Sequence, residues 1–330
     1  MELRLSTNLT KQVSPLISLI VPVYNEAEVL EQTWQRLNEV LCATNYRFEV
    51  IFVNDGSTDE SVSILDNIHQ NNQTATVVNL SRNFGKEYAL TAGLDLADGE
   101  AVIMIDADLQ DPPDLIPQML EAWQKGFDVV TMRREGRDGE TFLKRTSAWL
   151  FYRLLNRISD VPIPADTGDF GLLSARAVQA VRNLPERVRY MKGIFAWIGY
   201  PRTEIRYQRL SRAGGKTKWG YLRLIRLAFD GITAFSTSPL RLASYVGFIT
   251  AIGAFIFGVW TIVKTLMFGD PVAGFPTLLT TVLFLGGIQL IAIGVLGEYL
   301  GRLFAESKQR PHYLVNSIQR HHSKSSQSSE

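Results

Sequence analysis

The chain has 330 residues, of which 46% are apolar and 20% are charged, and its formal net charge is +1. So balanced a charge argues against a protein dedicated to binding nucleic acid. The single cysteine, Cys42, cannot form an intrachain disulfide, and no cluster of Cys and His suggests a zinc site. These features leave a soluble domain of ordinary composition, joined to segments that are much more apolar.

Strands and helices alternate along the first third of the chain, after a polar N-terminal tail at 1–14 that lacks the apolar core of a signal peptide. Apolar runs predict strands, and amphipathic spacing predicts helices. The predicted strands are 15–23, 48–53, 75–80 and 101–105, and the predicted helices are 28–41, 61–70 and 86–97. This alternation predicts an α/β fold with a mostly parallel sheet and helices on both faces.

Polar residues follow the ends of these strands. Asp55 is placed to accept a hydrogen bond from a nucleobase, and Arg82 and Lys86 are placed to meet phosphate or base. Each alone is compatible with ordinary loop chemistry, but the carboxyl ends of parallel strands meet at one edge and form a ligand crevice. No Gly-x-Gly-x-x-Gly follows the first strand and no Walker loop is present, which argues against a dinucleotide oxidoreductase and a P-loop enzyme.

The fourth predicted strand ends in two carboxylates, Asp106 and Asp108, one residue apart. If the chain bends there, both side chains reach one hard cation, with Gln110 as a further oxygen ligand. Such a site suits a divalent ion that shares its charge with substrate phosphates. A bare Asp-x-Asp pair also occurs in solvated turns, so its position at the carboxyl end of a buried strand is what favours a metal site.

Two long runs without a charged residue lie near the C-terminus, at 242–263 and 271–297. Each is long enough to cross about 30 Å of hydrocarbon as a helix. They predict two transmembrane helices, at about 242–264 and 273–299, within a unit at 241–301. The alternative, a pair of buried helices in a soluble protein, is disfavoured by two such runs in succession.

The flanking segments predict how the chain sits at a membrane. Residues 219–240 form an amphipathic juxtamembrane unit that is expected to lie in the interface. The loop between the spans carries one cation, whereas the soluble domain and the polar tail at 302–330 are more basic, so the positive-inside rule places the soluble domain and both termini in the cytoplasm. Gly297 and Gly301 form a small-residue pair that favours helix association and a homo-oligomer. The tail from Asn316 onward, rich in Ser, Gln and His, is predicted to be disordered.

Four motifs together resemble one known family. They are Val-Pro-Val-Tyr-Asn-Glu at 21–26, Val-Asn-Asp-Gly-Ser-Thr-Asp at 53–59, Asn-Phe-Gly-Lys at 83–86 and Asp-Ala-Asp-Leu-Gln-Asp-Pro-Pro at 106–113. The chain resembles the family 2 inverting glycosyltransferases, and within them the polyprenyl-phosphate hexose synthases, the group of bactoprenol glucosyltransferases and dolichyl-phosphate mannose synthases. The resemblance covers about residues 15–235. It implies a GT-A-type, Rossmann-like fold for 15–218, a nucleotide-sugar donor, Mg²⁺ or Mn²⁺, and a lipid-phosphate acceptor.

Matching residues carry the family's site over to this chain. The resemblance implies a nucleotide-sugar pocket lined by Pro22, Tyr24, Glu26, Asp55, Lys86 and Asp106. It implies metal and diphosphate ligands at Asp106, Asp108 and Gln110. The segment 167–172 is similar to the family's Gly-Asp-Phe segment, which makes Asp169 the candidate base and gives it the catalytic assignment together with Asp108. Because a phosphate monoester is mostly dianionic at pH 7, a role for Asp169 in orienting the acceptor or bonding a sugar hydroxyl stays open.

The second half of the soluble domain is expected to bind the acceptor. Arg133 follows a strand predicted at 127–132, and Arg145 lies in a basic, aromatic helix predicted at 141–158, which fits a membrane surface or, equally, a packed helix with extended Arg side chains. The run 206–218 is similar to a mobile basic loop of the family that closes over the site and excludes water, although a charge run is otherwise a solvated face. The residues assigned to the acceptor phosphate are Arg133, Arg145, Arg209, Arg212, Lys216 and Lys218.

The sequence therefore predicts a multi-pass enzyme of the inner or plasma membrane that transfers a hexose to a polyprenyl phosphate with inversion. The preferred pair is UDP-glucose and undecaprenyl phosphate, and the alternatives are a GDP-mannose-dependent mannose synthase or a transferase for another nucleotide sugar. A processive polysaccharide synthase is disfavoured because two predicted spans are too few to enclose a channel and because no Gln-x-x-Arg-Trp segment is present. A non-enzymatic membrane module that senses nucleotide sugars or serves as a scaffold is disfavoured by the intact metal and Gly-Asp-Phe motifs.

Overall fold

The computed structural model describes residues 14–134, 167–187, 189–208, 238–268 and 274–321. The strands are β1 (Leu16–Val23), β2 (Arg47–Asn54), β3 (Ala75–Leu80), β4 (Ala101–Met104), β5 (Val129–Arg134), β6 (Thr167–Ser174), β7 (Arg202–Tyr207) and β8 (Val315–Gln319). The helices are α1 (Ala27–Cys42), α2 (Ser61–Asn71), α3 (Lys86–Leu96), α4 (Ile116–Gln124), α5 (Ala175–Arg182), α6 (Met191–Trp197), α7 (Ser238–Phe268) and α8 (Phe275–Ser307). A 3₁₀ turn, Pro113–Leu115, precedes α4.

All of the described strands belong to one sheet, in the order β7-β5-β6-β4-β1-β2-β3-β8. The neighbours among β1, β2, β3 and β4 are parallel, as the alternation of elements predicts. Strand β6 runs antiparallel to β4 and β5, and β8 runs antiparallel to β3, so the sheet is mixed. The prediction of a mostly parallel sheet is therefore confirmed, with parallel pairing at its centre and between β5 and β7.

Two apolar layers cover the two faces of the sheet. Successive residues of β1 alternate between them, because neighbouring side chains of a strand point to opposite faces. Leu19 and Ile103 pack on one face with α1, α2 and α4, whereas Ile20 and Met104 pack on the other with α3, α5 and α6. Burial on both faces explains why the central strands are continuous apolar runs.

The register of β4 and β6 fixes where the polar ends meet. Met104 pairs with Gly171 across the antiparallel ladder. Asp106 lies two residues after Met104, past the end of β4, and Asp169 lies two residues before Gly171, near the start of β6. The antiparallel strand thus brings a residue from late in the domain to the edge where the parallel strands end, which no sequence periodicity predicts.

Helices α7 and α8 contact each other and expose their apolar side chains. Ala243–Trp260 and Phe284–Ser307 are long and apolar enough to cross a membrane, and neither segment is buried within the described structure. Phe255 is 72% exposed and Leu290 is 71% exposed, which is the opposite of what a core helix shows. These helices indicate a membrane-associated protein. Both extend beyond the predicted spans, to Phe268 and Ser307.

The prediction of disorder from Asn316 onward is wrong for the first residues of that tail. Strand β8 pairs antiparallel with β3, and the Asn79 side chain donates a hydrogen bond to Ser317 Oγ at 3.1 Å. Just after the strand, Arg320 forms an ion pair with Glu49 at 2.9 Å. An edge strand gains its stability from main-chain pairing with β3, so a polar composition does not exclude it.

Candidate active site

Lys86 bridges two carboxylates at the carboxyl end of the sheet. Its ammonium Nζ lies 2.6 Å from Oδ1 of Asp106 and 2.7 Å from Oδ2 of Asp169. Lys86 is the first residue of α3, Asp106 follows β4, and Asp169 lies on β6, so three elements converge on one ion-pair cluster. The Asp169 side chain is 14% exposed, whereas that of Lys86 is 39% exposed. The structure therefore joins three of the sequence-predicted site residues directly.

The electrostatics of this cluster keep Asp169 ionised. Burial alone would raise the pKa of Asp169, but Lys86 and then Lys192 outweigh it, and the pKa falls to about 2. Burial likewise opposes the charge of Lys86, and Asp106 and Asp169 raise its pKa above the ordinary value. Oδ1 of Asp169 is buried and has no hydrogen-bond partner among the described residues. A carboxylate with so low a pKa is a weak proton acceptor. Its Oδ1 can nevertheless accept a hydrogen bond from a hydroxyl group of a ligand.

Glu87 is a site residue that the sequence analysis missed. Burial and the nearby Asp169 raise its pKa to about 8. Its Oε2 accepts a hydrogen bond from the backbone N–H of Met191 at 3.3 Å, which ties the start of α6 to the start of α3. The only signal in the sequence is that Glu87 directly follows Lys86, and the position of α6 is not visible in that pattern.

Asp55 holds the segment that carries Lys86. Its Oδ1 accepts from Phe84 N–H at 2.7 Å, and its Oδ2 accepts from Gly85 N–H at 2.9 Å. Burial raises the pKa of Asp55, and these two backbone hydrogen bonds partly oppose the shift. Gly85 has φ +107°, a backbone conformation that favours glycine. The two motifs are thus one structural unit, and the nucleobase contact predicted for Asp55 would add to this role.

The first two motifs are also joined by hydrogen bonds. Asn25, at φ +54°, donates its N–H to Ser57 Oγ at 3.0 Å and accepts from Thr58 N–H at 2.8 Å. Glu26 donates its N–H to Ser61 Oγ at 3.0 Å. The turn after β1 is therefore fixed against the loop after β2. Of the predicted nucleotide-pocket residues, Tyr24 and Glu26 lie in this turn and Pro22 lies just before it, near the end of β1; Pro22 and Glu26 are half-buried and Tyr24 is exposed.

The chain bends directly after Asp106, as the metal-site prediction requires. Leu109 has φ +55°, and the buried Asp108 accepts from Gln110 N–H at 3.2 Å. In the described part of the chain, no group of three or more His, Cys, Asp and Glu is placed to hold a metal. Asp106 and Asp108 nevertheless fit a hard divalent cation that takes its remaining ligands from phosphate and water. The ammonium of Lys86 already provides a positive charge beside Asp106.

Two neighbouring arginines at the end of β5 have different partners. Arg133, which the sequence analysis assigned to the acceptor phosphate, pairs with Glu204 on β7 at 3.3 Å and, within the described structure, forms no ion pair with Asp106 or Asp169. Arg134 instead donates to Tyr207 Oη at 3.2 Å and helps to lower the pKa of Asp169. Because successive strand residues point to opposite faces, only one of the pair can face the site. Arg134, which the sequence analysis did not select, is the one of the two whose charge acts on Asp169.

Several predicted elements lie outside the described residues. They include the helix at 141–158, the juxtamembrane unit at 219–240 up to its last three residues, and the basic loop from residue 209 onward. The predicted acceptor-phosphate residues among them are Arg145, Arg209, Arg212, Lys216 and Lys218.

Comparisons with known proteins agree with these features. The family model described as Glycosyl transferase family 2 matches residues 18–182, and the one described as GtrB C-terminal hairpin matches residues 238–303. The bactoprenol glucosyl transferase of Shigella phage SfV is 46% identical over 91% of this chain and 97% of its own length. A prophage bactoprenol glucosyl transferase homolog of Escherichia coli (strain K12) is 45% identical over 92% of this chain and 99% of its own length.

One solved structure illustrates how distant the structural likenesses are. Glucosyl-3-phosphoglycerate synthase from Mycobacterium tuberculosis, in complex with Mn²⁺, UDP and phosphoglyceric acid, has a TM-score of 0.48 and 18% identity over 66% of this chain and 76% of that chain. The relatives and the family models are nearer and cover both the mixed α/β domain and the hairpin. The GT-A-type fold is thus confirmed, and the chain belongs to glycosyl transferase family 2, with a GtrB C-terminal hairpin.

Proposed function

We propose that this protein transfers a hexose, with inversion, from a nucleotide diphosphate sugar to a polyprenyl phosphate, and that the pair is UDP-glucose and undecaprenyl phosphate. The observation that carries the proposal is the cluster of Lys86, Asp106 and Asp169 at the carboxyl edge of the sheet, in a chain that also has an apolar hairpin. The names of the relatives, bactoprenol glucosyl transferases, support the choice of glucose and of a lipid carrier.

The donor is expected to bind at the carboxyl edge through its diphosphate. Asp106 and Asp108 would hold Mg²⁺ or Mn²⁺, which supplies charge neutralisation for the leaving diphosphate. Lys86 keeps its charge, because both carboxylate partners raise its pKa. With Asp106 holding the metal, Lys86 would still be paired with Asp169, and its remaining N–H groups could donate to a diphosphate oxygen.

The acceptor phosphate needs little help in losing a proton. Its second pKa is near 6, so at pH 7 it is mostly dianionic and already nucleophilic. Asp169, with a pKa of about 2, is poorly suited to remove a proton and well suited to hold Lys86 and a sugar hydroxyl. Lys86, Lys192 and Arg134 surround Asp169 with positive charge, which would offset the repulsion between this carboxylate and an incoming phosphate.

The hairpin would place this chemistry at the membrane surface. We propose that α7 and α8 cross the inner or plasma membrane and that the catalytic domain and both termini lie in the cytoplasm, as the distribution of Lys and Arg favours. A polyprenyl phosphate keeps its chain in the bilayer and its phosphate at the interface. The acceptor therefore meets the domain without leaving the membrane.

The test is direct transfer by the purified full-length protein. Radiolabelled UDP-glucose, undecaprenyl phosphate and Mg²⁺ should move label into the lipid fraction, and chelation of the metal or Asp106→Asn should abolish that transfer. Asp114→Asn is the matched control, because that carboxylate pairs with Arg36 and is 56% exposed. Transfer from GDP-mannose alone would contradict the choice of UDP-glucose as donor. If no nucleotide sugar supports transfer, the proposed transferase activity is contradicted.

A further inference from the structure

The end of α8 contacts the catalytic domain at the loop that contains Arg187. Glu306, in the last turn of α8, accepts a hydrogen bond on Oε1 from the backbone N–H of Arg187 at 2.9 Å. On its other side, the carbonyl of Arg187 accepts from the hydroxyl of Tyr88 at 3.0 Å. The backbone of Arg187 is thus held between the apolar hairpin and the start of α3.

The start of α3 is also where the catalytic cluster is built. Three consecutive residues make these contacts. Lys86 forms ion pairs with Asp106 and Asp169. Glu87 accepts a hydrogen bond from the N–H of Met191, and Tyr88 donates one to the carbonyl of Arg187. Met191 opens α6, and the next residue, Lys192, is one of the cations that lower the pKa of Asp169. A short path of contacts therefore leads from Glu306 to the surroundings of Asp169.

The chain beyond α8 secures this arrangement. Arg189 Nη2 lies 3.4 Å from His312 Nε2, and the ring of His312 stacks on that of Tyr88 with 6.3 Å between centroids. The hydroxyl of Tyr313 donates to Asp95 at 2.7 Å, and β8 then joins the sheet. The end of α8 is therefore attached to the domain at both Glu306 and the returning strand, which fixes its distance from the active site.

We propose that Glu306 is a positioning residue, which sets Arg187 and the described segment 189–192, and with it Lys192, for a phosphate presented at the membrane surface. The inference rests on the proposed function, because it concerns where the lipid acceptor enters. An acceptor anchored in the bilayer cannot adjust its height freely, so the tie between helix and loop decides whether its phosphate reaches the site. A small soluble acceptor has no such constraint.

The experiment compares Glu306→Ala with Glu306→Gln and wild type in full-length protein reconstituted in vesicles. Glutamine keeps an oxygen that accepts from Arg187 N–H, whereas alanine does not. With undecaprenyl phosphate, Glu306→Ala should lower kcat about tenfold, as expected for the loss of one hydrogen bond to a charged group. KM for UDP-glucose should stay unchanged, and Glu306→Gln should restore most of the rate.

Two further arms separate positioning from a general loss of structure. A short, water-soluble prenyl phosphate should be used by Glu306→Ala within about twofold of wild type, because its phosphate is free to adjust. Glu298→Ala, on the same helix, is the matched control, since that carboxylate pairs with Arg302 and, among the described residues, forms no ion pair with the domain. Equal losses with both acceptors, or a Gln variant as slow as the Ala variant, would overturn the inference.

Hydrogen exchange gives a readout that does not depend on turnover. The amides of Arg187 and Met191 should exchange faster in Glu306→Ala than in wild type or in Glu298→Ala. Unchanged exchange at Arg187 would overturn the inference by itself. A wild-type protein that transfers sugar to no polyprenyl phosphate would instead contradict the proposed function, so the two failures are distinguishable.

Discussion

The catalytic domain buries its apolar side chains, whereas the hairpin exposes them. In the domain, apolar residues such as Ile103 are fully buried, and charged groups such as Asp169 are drawn inward to meet a partner. In the hairpin, Phe255 and Leu290 are more than two thirds exposed. Since apolar surface on that scale is unfavourable in water, the exposed hairpin indicates a membrane-associated protein, whereas the described core of the domain is already shielded from water. The contacts of Glu306 and the pairing of β8 join the hairpin to the domain.

The largest expected effect concerns the charge buried in the domain. Asp169→Asn preserves shape but removes one of the two carboxylates that hold Lys86. We expect kcat for sugar transfer to fall by about 100-fold or more, as for the loss of a preorganised charged group in an active site. Transfer within threefold of wild type would show that the buried carboxylate has no role in the reaction.

The second prediction adds a charge to the exposed apolar surface of the hairpin. In water, a charge at the exposed Leu290 would be harmless, but in a bilayer Leu290→Arg should cost roughly 2.5–3.5 kcal/mol on insertion. We expect a marked loss of protein from the membrane fraction in a quantitative fractionation. Glu39→Arg, at an exposed position in the domain, is the control and should fractionate like wild type. Equal recovery of the two variants would contradict a transmembrane α8.

The junction between the two regions can be tested by a disulfide. Asn79 and Ser317 are directly opposite across β3 and β8, so Asn79→Cys with Ser317→Cys in a Cys42→Ser background should form an intrachain cross-link and raise Tm by a few degrees. Asn79→Cys with Ile318→Cys is the control, because the neighbouring strand residue points to the other face. A covalent dimer on a non-reducing gel would place β8 on a neighbouring copy and contradict the arrangement described above.

The smallest expected effect is the pH dependence contributed by Glu87. Its pKa is about 8 in the fold, against an ordinary value of 4.5, so the folded state binds this proton more tightly than the unfolded state does. Stability from this group is present below about pH 4.5 and is lost as the pH rises towards 8. Glu87→Gln should remove that loss and raise Tm by a few degrees at pH 8 but not at pH 5. A Tm difference that does not change with pH would contradict the raised pKa.

Much of the fold and part of the site follow from the sequence, for identifiable physical reasons. The central strands are predictable because a strand buried on both faces must be a continuous apolar run, and the acids after β4 are predictable because such strands present ligands at their carboxyl ends. The ion pairs of Lys86 were not predicted, because they depend on the antiparallel register of β4 and β6. β8 was missed since an edge strand needs few apolar residues, and Glu87 was missed since α6 reaches it from about 100 residues away in the chain.

The central claim is that the lysine–carboxylate cluster carries the transfer of sugar to lipid. The most direct measurement is the rate at which radiolabelled glucose moves from UDP-glucose into undecaprenyl phosphate in wild type, Lys86→Met and Lys125→Met. Lys125 is a matched lysine that pairs only with Glu121 in the described structure and is 63% exposed. We predict wild-type transfer by Lys125→Met and a loss of about 100-fold or more in Lys86→Met. Equal rates in the two variants, or no transfer by wild type, would contradict the account.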